Sequence, residues 1–140
     1  YGKKWISYKG NIFVSIFFNL EKNNISLKKM TYINCFLIKK LLSLYYKKRI
    51  SIKAPNDLLV NKKKISGILQ ETINKNKKKY MIVGIGINLI KNPNIKGYPT
   101  INLSEICRRK IRKNEIIYKL KKIYENFIPK LNSSITGKIL

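Results

Sequence analysis

The sequence predicts an α+β domain in which helices pack on one face of a mixed or antiparallel sheet. Most of the predicted strands lie before residue 88, and two predicted helices follow them. At 140 residues the chain is one domain or part of one, and it is long enough to bury a core. We therefore expect one domain over residues 1–130 and a short tail over residues 131–140.

The first half of the chain alternates strand and helix patterns. Residues 12–18 form an apolar and aromatic run that is typical of a buried strand. Apolar residues recur at the helical period over residues 30–48, which predicts a helix with Thr31 as its N-cap. A short strand is expected over residues 50–53. Pro55 ends this strand or displaces it to an edge of the sheet, because proline cannot donate a hydrogen bond to a neighbouring strand.

A hairpin and a buried strand are predicted next. Residues 58–60 and 64–70 are expected to pair around a turn at residues 61–63, where Asn tolerates a left-handed backbone. Residues 74–79 are rich in Lys and Asn and indicate a polar loop. Residues 80–87 form a continuous apolar strand.

Irregular structure and two helices are predicted to follow. Pro and Gly recur over residues 93–99 and indicate an irregular connection. A polar start at Ser104 predicts a short helix, and a second start at Asn114 predicts a longer helix. We expect this last helix to end near Phe127, because Pro129 and a polar run come next.

The chain is strongly basic, with 31 Lys and Arg against 6 Asp and Glu and a formal net charge of +25. Such a charge is found in modules that bind nucleic acid or acidic membranes. Lys, Ile and Asn dominate the composition, however, while His is absent, and this indicates a coding bias that spreads Lys over solvated faces. We favour the bias, and a polyanion-binding surface stays open as the alternative.

Two cysteines and the hydropathy pattern bear on the compartment. Cys35 and Cys107 have neither CxxC spacing nor a His to share a metal, so we expect small apolar residues in a reducing cytoplasm. No apolar run reaches the 18 residues or so that a membrane helix needs.

One stretch, residues 53–71, has the polar spacing of a functional site. It contains Asp57, the only aspartate of the chain, in a Pro-Asn-Asp turn. Lys64 follows seven residues later and Gly67 ten residues later. Asp57 could hold a metal or orient a lysine, Lys64 could meet a phosphate, and Gly67 could let a ligand approach the backbone.

This stretch resembles the central motif of biotin protein ligases, roughly K-W-P-N-D-(apolar)3-N-x-K-K-I-A-G-I-L-x-E. The match is nearly continuous over nineteen residues. It departs from the pattern at Ala54, where the family has Trp, at Ser66, where it has Ala, and at Lys62, where a Gly is common.

Four further segments resemble the same family in the same order. They are Gly2–Ser7 (the end of the adenylate-binding loop), Gly10–Ser15 (the strand that walls the biotin pocket), Gly84–Asn88 (the G-I-G-I-N turn) and, more weakly, Pro99–Glu105 (a helix start). Only the last third of the loop is present and its leading Gly-Arg-Gly-Arg would precede Tyr1, so we expect the true N-terminus to lie upstream.

The resemblance implies roles for individual residues. The catalytic residues would be Lys64 and Asp57, and Asp57 is also a possible Mg²⁺ ligand. The biotin-binding residues would be Lys64, Gly67, Ile68, Leu69, Phe13 and Trp5. The ATP-binding or adenylate-binding residues would be Gly2, Lys3, Asn56, Asp57, Gly84, Gly86 and Asn88, with Asn88 paired to the adenine edge.

The resemblance also implies a reaction and a fold. Biotin would be activated by ATP to biotinyl-5′-AMP and transferred to a lysine of the biotin carboxyl carrier domain of acetyl-CoA carboxylase. The fold would be that of class II aminoacyl-tRNA synthetases, the substrates and metal would be ATP, biotin and Mg²⁺, and a homodimer is an open possibility. Without the upstream segment we expect residues 1–140 alone to be weakly active or inactive.

Three alternatives stay open on the sequence alone. A lipoate ligase has the same fold, although the motif spacing favours biotin. A basic nucleic-acid-binding module would show affinity that falls steeply with salt. A decayed, non-catalytic relative is the third alternative, because Ala54 replaces the family's Trp.

Overall fold

The structure, a computed structural model, describes residues 8–20 and 25–133, with the backbone alone for residues 132 and 133. This part of the chain contains five strands and three helices. They are β1 (Ile12–Asn19), α1 (Leu27–Leu42), β2 (Ser51–Lys53), β3 (Asp57–Val60), β4 (Lys63–Lys75), β5 (Lys78–Ile87), α2 (Leu103–Cys107) and α3 (Lys113–Ser133).

The five strands form one sheet in the order β1-β5-β4-β3-β2, and every neighbouring pair is antiparallel. Helix α1 packs on β3, β4 and α3, while α3 packs on β1. The predicted α+β architecture is therefore confirmed, and the sheet is of the antiparallel kind.

Two Asn-Lys turns set the length of the central strands. Asn61 and Lys62 have positive φ, as do Asn76 and Lys77, and this backbone matches the twist of a two-residue hairpin. The polar loop expected over residues 74–79 is therefore wrong. Those residues are the paired ends of β4 and β5 around a tight turn.

The two faces of the sheet differ in what covers them. Gln70 of β4 lies opposite Val83 of β5, and the Gln70 amide donates to the backbone carbonyl of Leu27 in α1. The side chains on the same face of the sheet as Gln70 therefore face the helices. In β5 they are Met81, Val83, Ile85 and Ile87, and all four are buried in the core. The opposite face, which we call the open face, carries the alternate residues of each strand.

A buried polar network joins the helices to this face. The side chain of Asn34 in α1 is fully buried, and its amide donates to the Gln70 oxygen at 2.7 Å. The Asn34 oxygen accepts the Tyr124 hydroxyl of α3 at 2.8 Å. Three elements are thus fixed to one another by satisfied hydrogen bonds inside the core.

The helix starts differ from those expected. Helix α1 begins at Leu27 rather than residue 30, and its N-cap is Ser26, whose oxygen accepts the Lys29 N–H. The hydroxyl of Thr31 instead donates to the Leu27 carbonyl within the helix. Helix α2 is capped by Asn102 rather than Ser104. In both cases a polar residue earlier in the chain takes the cap.

The helix ends differ as well. Helix α1 ends at Leu42, six residues before the predicted end, and the chain turns through residues 43–45. Helix α3 does not end near Phe127, because it continues through Pro129 to Ser133. Leu131 in its last turn is fully buried, so packing extends the helix past the proline. Within the described ranges, no helix is both long and apolar enough to span a membrane.

Candidate active site

One lateral row of residues crosses all five strands on the open face. Lys53 lies opposite Asp57, Asp57 opposite Gly67, Gly67 opposite Gly86, and Gly86 opposite Phe13. Residues directly opposite each other share a face of the sheet. The row therefore has charged side chains at one end, an aromatic ring at the other, and two adjacent glycines between them.

The glycines make a floor without side chains. Since neighbouring strands lie about 4.8 Å apart, roughly 14 Å separates the Asp57 and Phe13 backbones. The next row on the same face places Leu69 opposite Gly84, and Gly84 opposite Ser15. A methyl group at Gly84 would lie 3.9 Å from the edge of the Phe13 ring, so the floor continues beneath that ring. Both row glycines, Gly67 and Gly86, are buried in the structure, and neither places a side chain on this face.

A β-bulge turns Lys64 onto this face. Leu58 and Leu59 are consecutive residues of β3, but their partners on β4, Ser66 and Lys64, are two residues apart. One extra residue, Ile65, is thus accommodated on β4. Lys64 shares a face with Leu59, and hence with Asp57, whereas strict alternation from Ser66 would have pointed it at the helices.

Lys64 and Asp57 form an ion pair at 3.1 Å, and both side chains are about 15% exposed. The hairpin thus brings together the two residues that the sequence singles out. Tyr98 completes the group, because its hydroxyl donates to the other oxygen of Asp57 at 2.7 Å. Burial, followed by the hydrogen bond and the charge of Asp57, raises the pKa of Tyr98, so the hydroxyl remains a donor.

A second cation adjoins this group. The Nζ atom of Lys53 lies 4.3 Å from the centre of the Tyr98 ring, and that of Lys64 lies 5.4 Å from it. Aromatic faces attract cations at these distances. The polar end of the row therefore offers two ammonium groups, of which Lys53 is the more exposed.

The backbone of Lys64 is held on both sides by the connection that carries Tyr98. The Lys64 N–H donates to the Pro99 carbonyl at 2.8 Å, and the Ile101 N–H donates to the Lys64 carbonyl at 2.9 Å. Asn88 adds a third tie, because its amide donates to the carbonyls of Lys64 and Ile101. Two backbone hydrogen bonds and one side-chain hydrogen bond thus fix the position of the Lys64 backbone.

Two predicted ligand contacts differ in the structure. Asn88 is buried and gives its amide protons to backbone carbonyls, so the expected bidentate pair with adenine does not fit its present hydrogen bonds. Ile68 lies opposite Ile85 on the helix face and belongs to the core, so it does not line the floor. Alternation along β4 explains this, since Gly67 and Leu69 point one way and Ile68 the other.

Asn56 has a structural contact as well. Its amide donates to the Ile68 carbonyl at 2.6 Å, and its own carbonyl accepts the Ile68 N–H. It therefore closes the β3 end of the site by holding the turn against β4. A direct contact of Asn56 with ATP stays a prediction.

Gly10 and Asn11 shape the opposite border, next to β1. The Asn11 side-chain oxygen accepts the backbone N–H groups of residues 89, 90 and 91, each at 3.0 Å. Gly10 has φ +96°, and a Cβ there would collide with the Ile90 side chain. The Gly-Asn pair thus holds the segment after β5 against β1. Three other predicted residues, Gly2, Lys3 and Trp5, lie outside the described residues.

The expected role of Asp57 as a possible Mg²⁺ ligand stays a prediction. The two oxygens of Asp57 already accept Lys64 and Tyr98. Among the described residues, no three Asp, Glu, Cys or His side chains are grouped closely enough to hold a metal by themselves, whereas Mg²⁺ is commonly held by one or two carboxylates together with substrate phosphates. A divalent cation would also face the nearby lysines. The other role expected for Asp57, orienting Lys64, agrees with its contacts.

Sequence reasoning missed two members of the group. Tyr98 lies in the Pro/Gly-rich connection, where no periodicity points to a site, and 41 residues separate it from Asp57. Lys53 stands at the start of the motif, but it received no role. Only three residues separate Lys53 from Asp57, and this short turn could have predicted that the two residues lie opposite each other in a hairpin.

Comparison with known proteins gives a family for this arrangement. A family model described as "Biotin/lipoate A/B protein ligase family" matches residues 1–88, which is more than half of the chain. The match includes β1 to β5 and thus the whole lateral row.

Solved structures share the fold. The biotin protein ligase from Aquifex aeolicus in complex with biotin and ATP is 31% identical with a TM-score of 0.70, over 89% of this chain and 53% of that one. The chain thus spans about half the length of that relative. The ligase from Leishmania major in complex with biotin is 18% identical, with a TM-score of 0.76 over 99% of this chain and 66% of that one.

A lipoate-bound protein is also similar. P. falciparum LipL1 in complex with lipoate is 22% identical with a TM-score of 0.56, over 94% of this chain and 37% of that one. At this identity the likeness shows the fold alone. Together the matches assign the antiparallel sheet and its helices to the catalytic-domain fold of these ligases, which is similar to that of class II aminoacyl-tRNA synthetases.

Proposed function

We propose that this chain, which belongs to the biotin/lipoate A/B protein ligase family, carries the adenylation site of a biotin protein ligase. The enzyme would use ATP to convert biotin to biotinyl-5′-AMP and then transfer the biotinyl group to a lysine of a carrier protein. The single observation that supports this most is the lateral row, in which Asp57, the ion-pair partner of Lys64, lies near one end and a glycine floor leads to Phe13.

In the first step two anions must meet. A carboxylate oxygen of biotin attacks the α-phosphorus of ATP, the bond from that phosphorus to the bridging oxygen breaks, and pyrophosphate leaves. Lys64 would lie between the carboxylate and the phosphate, reduce their repulsion and stabilise the charge that builds on the phosphoryl oxygens. Asp57 would orient the Lys64 ammonium group through the 3.1 Å ion pair.

The floor suits the ring end of biotin. Gly67 and Gly86, which are both buried, place no side chain over the backbone. Leu69 adds apolar surface beside them, and the half-exposed Phe13 ring closes the far end. Lys53, at the exposed end of the row, is placed for the β- and γ-phosphates of ATP. In this proposal the acid group of biotin points toward Lys64 and its rings lie over the glycines.

In the second step the amine of a carrier lysine attacks the carbonyl carbon of biotinyl-5′-AMP. The bond from that carbon to the phosphate oxygen breaks, an amide forms and AMP leaves with the electron pair. The carrier we propose is the biotin carboxyl carrier domain of acetyl-CoA carboxylase. The basic surface of the chain would favour approach of ATP and of an acidic carrier.

The experiment is biotin-dependent exchange of labelled pyrophosphate into ATP, followed by label transfer from ¹⁴C-biotin to a carrier domain. We expect biotin-dependent exchange, and transfer of the label to the carrier domain. Absence of biotin-dependent exchange in the complete protein would refute the proposal.

Lipoate is the second candidate substrate, because the family includes lipoate ligases and one similar structure holds lipoate. The same exchange assay with lipoate in place of biotin separates the two. We expect the kcat/KM for biotin to exceed that for lipoate by at least about 100-fold, since a site that hydrogen-bonds one ligand rejects an analogue lacking those groups. The reverse preference would assign the chain to lipoate.

A further inference from the structure

Tyr98 lies outside the motif that carries the site, yet it contacts three of the site's charged side chains. We propose that Tyr98 is a positioning residue that aligns the Lys64–Asp57 pair for adenylation. The inference rests on the proposed ligase reaction, because it concerns how Lys64 is aimed at the reacting phosphate.

The hydroxyl of Tyr98 fixes the rotation of the Asp57 carboxylate. Tyr98 donates to Oδ2 at 2.7 Å, while Lys64 contacts Oδ1 at 3.1 Å. With a donor on each oxygen, the carboxylate plane has one preferred orientation. Removing the hydroxyl leaves Asp57 free to turn toward its neighbour Lys53, which lies directly opposite it in the β2–β3 hairpin.

The position of Tyr98 is fixed to the backbone of Lys64. The Tyr98 N–H donates to the Ile95 carbonyl and closes a turn, and the next residue, Pro99, accepts the Lys64 N–H at 2.8 Å. Thr100 forms a parallel bridge with Lys64, and its hydroxyl donates to the Pro93 carbonyl. These hydrogen bonds hold the backbones of Tyr98 and Lys64 at a fixed separation, so the two side chains start from fixed positions.

The Tyr98 ring makes the presence of two nearby lysines less costly. Both ammonium groups lie within 5.5 Å of its centre, 4.3 Å for Lys53 and 5.4 Å for Lys64. The negative face of the ring offsets part of their mutual repulsion. The ring therefore contacts the two lysines, while the hydroxyl contacts Asp57. Tyr98→Phe keeps the first contact and removes the second.

The first test is Tyr98→Phe in the complete protein, assayed by pyrophosphate exchange. The ring is kept and the hydroxyl to a charged acceptor is lost, so we expect kcat to fall about 10-fold or more. KM for biotin and for ATP should stay within about twofold, because the ligand contacts are unchanged. Tyr118→Phe, at an exposed tyrosine of α3, is the matched control and should leave kcat unchanged.

The second test asks whether Tyr98 acts through Asp57. In an Asp57→Asn background the added Tyr98→Phe change should lower kcat by less than about twofold, because the carboxylate that it aligns is gone. The proposal would be overturned if Tyr98→Phe lowered kcat by the full 10-fold both in the wild type and in Asp57→Asn. It would also be overturned if Tyr98→Phe caused no loss in the otherwise wild-type protein, which keeps Asp57. Either result is obtained with an active wild type, so it leaves the proposed function standing.

A third measurement does not depend on activity. Acetylation of Lys64 by a water-soluble acylating reagent is followed by mass spectrometry, with the exposed neighbour Lys63 as the internal reference. We expect Tyr98→Phe to raise the Lys64/Lys63 rate ratio several-fold, because the ion pair that protects Lys64 is less well aligned. An unchanged ratio would contradict the positioning role even if no adenylate were formed by the wild type.

Discussion

At the scale of single residues, Lys64 is the side chain on which the proposed adenylation depends most. It is the cation that the β4 bulge turns onto the open face and that Asp57 holds at 3.1 Å. We expect Lys64→Ala to lower the rate of adenylate formation by about 10²- to 10³-fold, the loss seen when one charge-stabilising donor is removed. Pyrophosphate exchange measures it.

The matched control for that change is Lys63→Ala. Lys63 is the preceding residue of β4 and is exposed, so its loss removes the same charge from the molecule without touching the pair. It should retain activity within about twofold. Equal losses in both variants would mean that general positive charge, rather than Lys64, attracts the nucleotide.

The alkaline stability of the fold is a second prediction at the residue scale. Burial raises the pKa of Tyr124 above its ordinary value, with Cys35 adding to the shift, so the folded state keeps a proton that the unfolded state loses above about pH 10. The resulting stability is fully present below that pH and falls as pH rises further, because the unfolded chain then binds fewer protons.

Urea unfolding at pH 8 to 11 tests this. Tyr124→Phe should make the decline of the unfolding free energy above pH 10 shallower than in the wild type. Tyr118→Phe is the control at an exposed position. A decline of the same slope in Tyr124→Phe and wild type would show that this tyrosine does not contribute.

At the scale of elements, the glycine floor sets what β4 and β5 can hold. A methyl group at Gly84 would lie 3.4 Å from the Leu69 carbonyl oxygen, an ordinary contact that the fold accepts. We expect Gly84→Ala to leave the unfolding free energy unchanged or to raise it by about 0.5–1 kcal/mol, since glycine costs entropy in a strand. Affinity for biotin should fall by about 10-fold or more, because the methyl projects from the floor.

Calorimetric titration with biotin and urea unfolding of the same samples check both parts. Asn74→Ala, at the exposed far end of β4, is the control and should bind as the wild type does. Retained affinity in Gly84→Ala would place biotin elsewhere on the molecule.

The joint between α1, α3 and β4 gives a second prediction at the element scale. Asn34→Ala leaves the buried Tyr124 hydroxyl without its acceptor, so we expect a loss of about 1–3 kcal/mol in unfolding free energy. Combining it with Tyr124→Phe should cost less than the sum of the two single changes, because both remove the same bond. Strict additivity in urea unfolding would show that the hydrogen bond between Asn34 and Tyr124 does not contribute to stability.

The sequence predicts the elements with unequal success. Strand β1 and the hairpin that carries Asp57 and Lys64 follow from apolar runs and a turn asparagine. The ends of β4 and β5 were missed, because polar Lys and Asn residues also form tight turns with positive φ. The ends of α1 and α3 were wrong, since a cap at Ser26 and the burial of Leu131 decide them in three dimensions.

At the scale of the whole molecule, the site depends on the register of the complete sheet. Motif residues predict that Asp57, Lys64 and Gly67 belong together, but only the pairing of five strands brings Phe13 and Gly86 into the same row. Tyr98 could not be predicted, because its contact with Asp57 depends on how the 89–101 segment folds back over β4. Alternation along β4 alone would also have sent Lys64 to the wrong face.

The central claim is that biotin and ATP meet over the glycine floor beside Lys64. A crystal structure of the complete protein with biotinyl-5′-AMP tests it most directly. We predict that the biotinyl rings lie over Gly67 and Gly86 and that Lys64 Nζ lies within about 3.2 Å of an oxygen at the carboxyl–phosphate junction. Adenylate bound on the helix face, or with its phosphate remote from Lys64, would contradict the account.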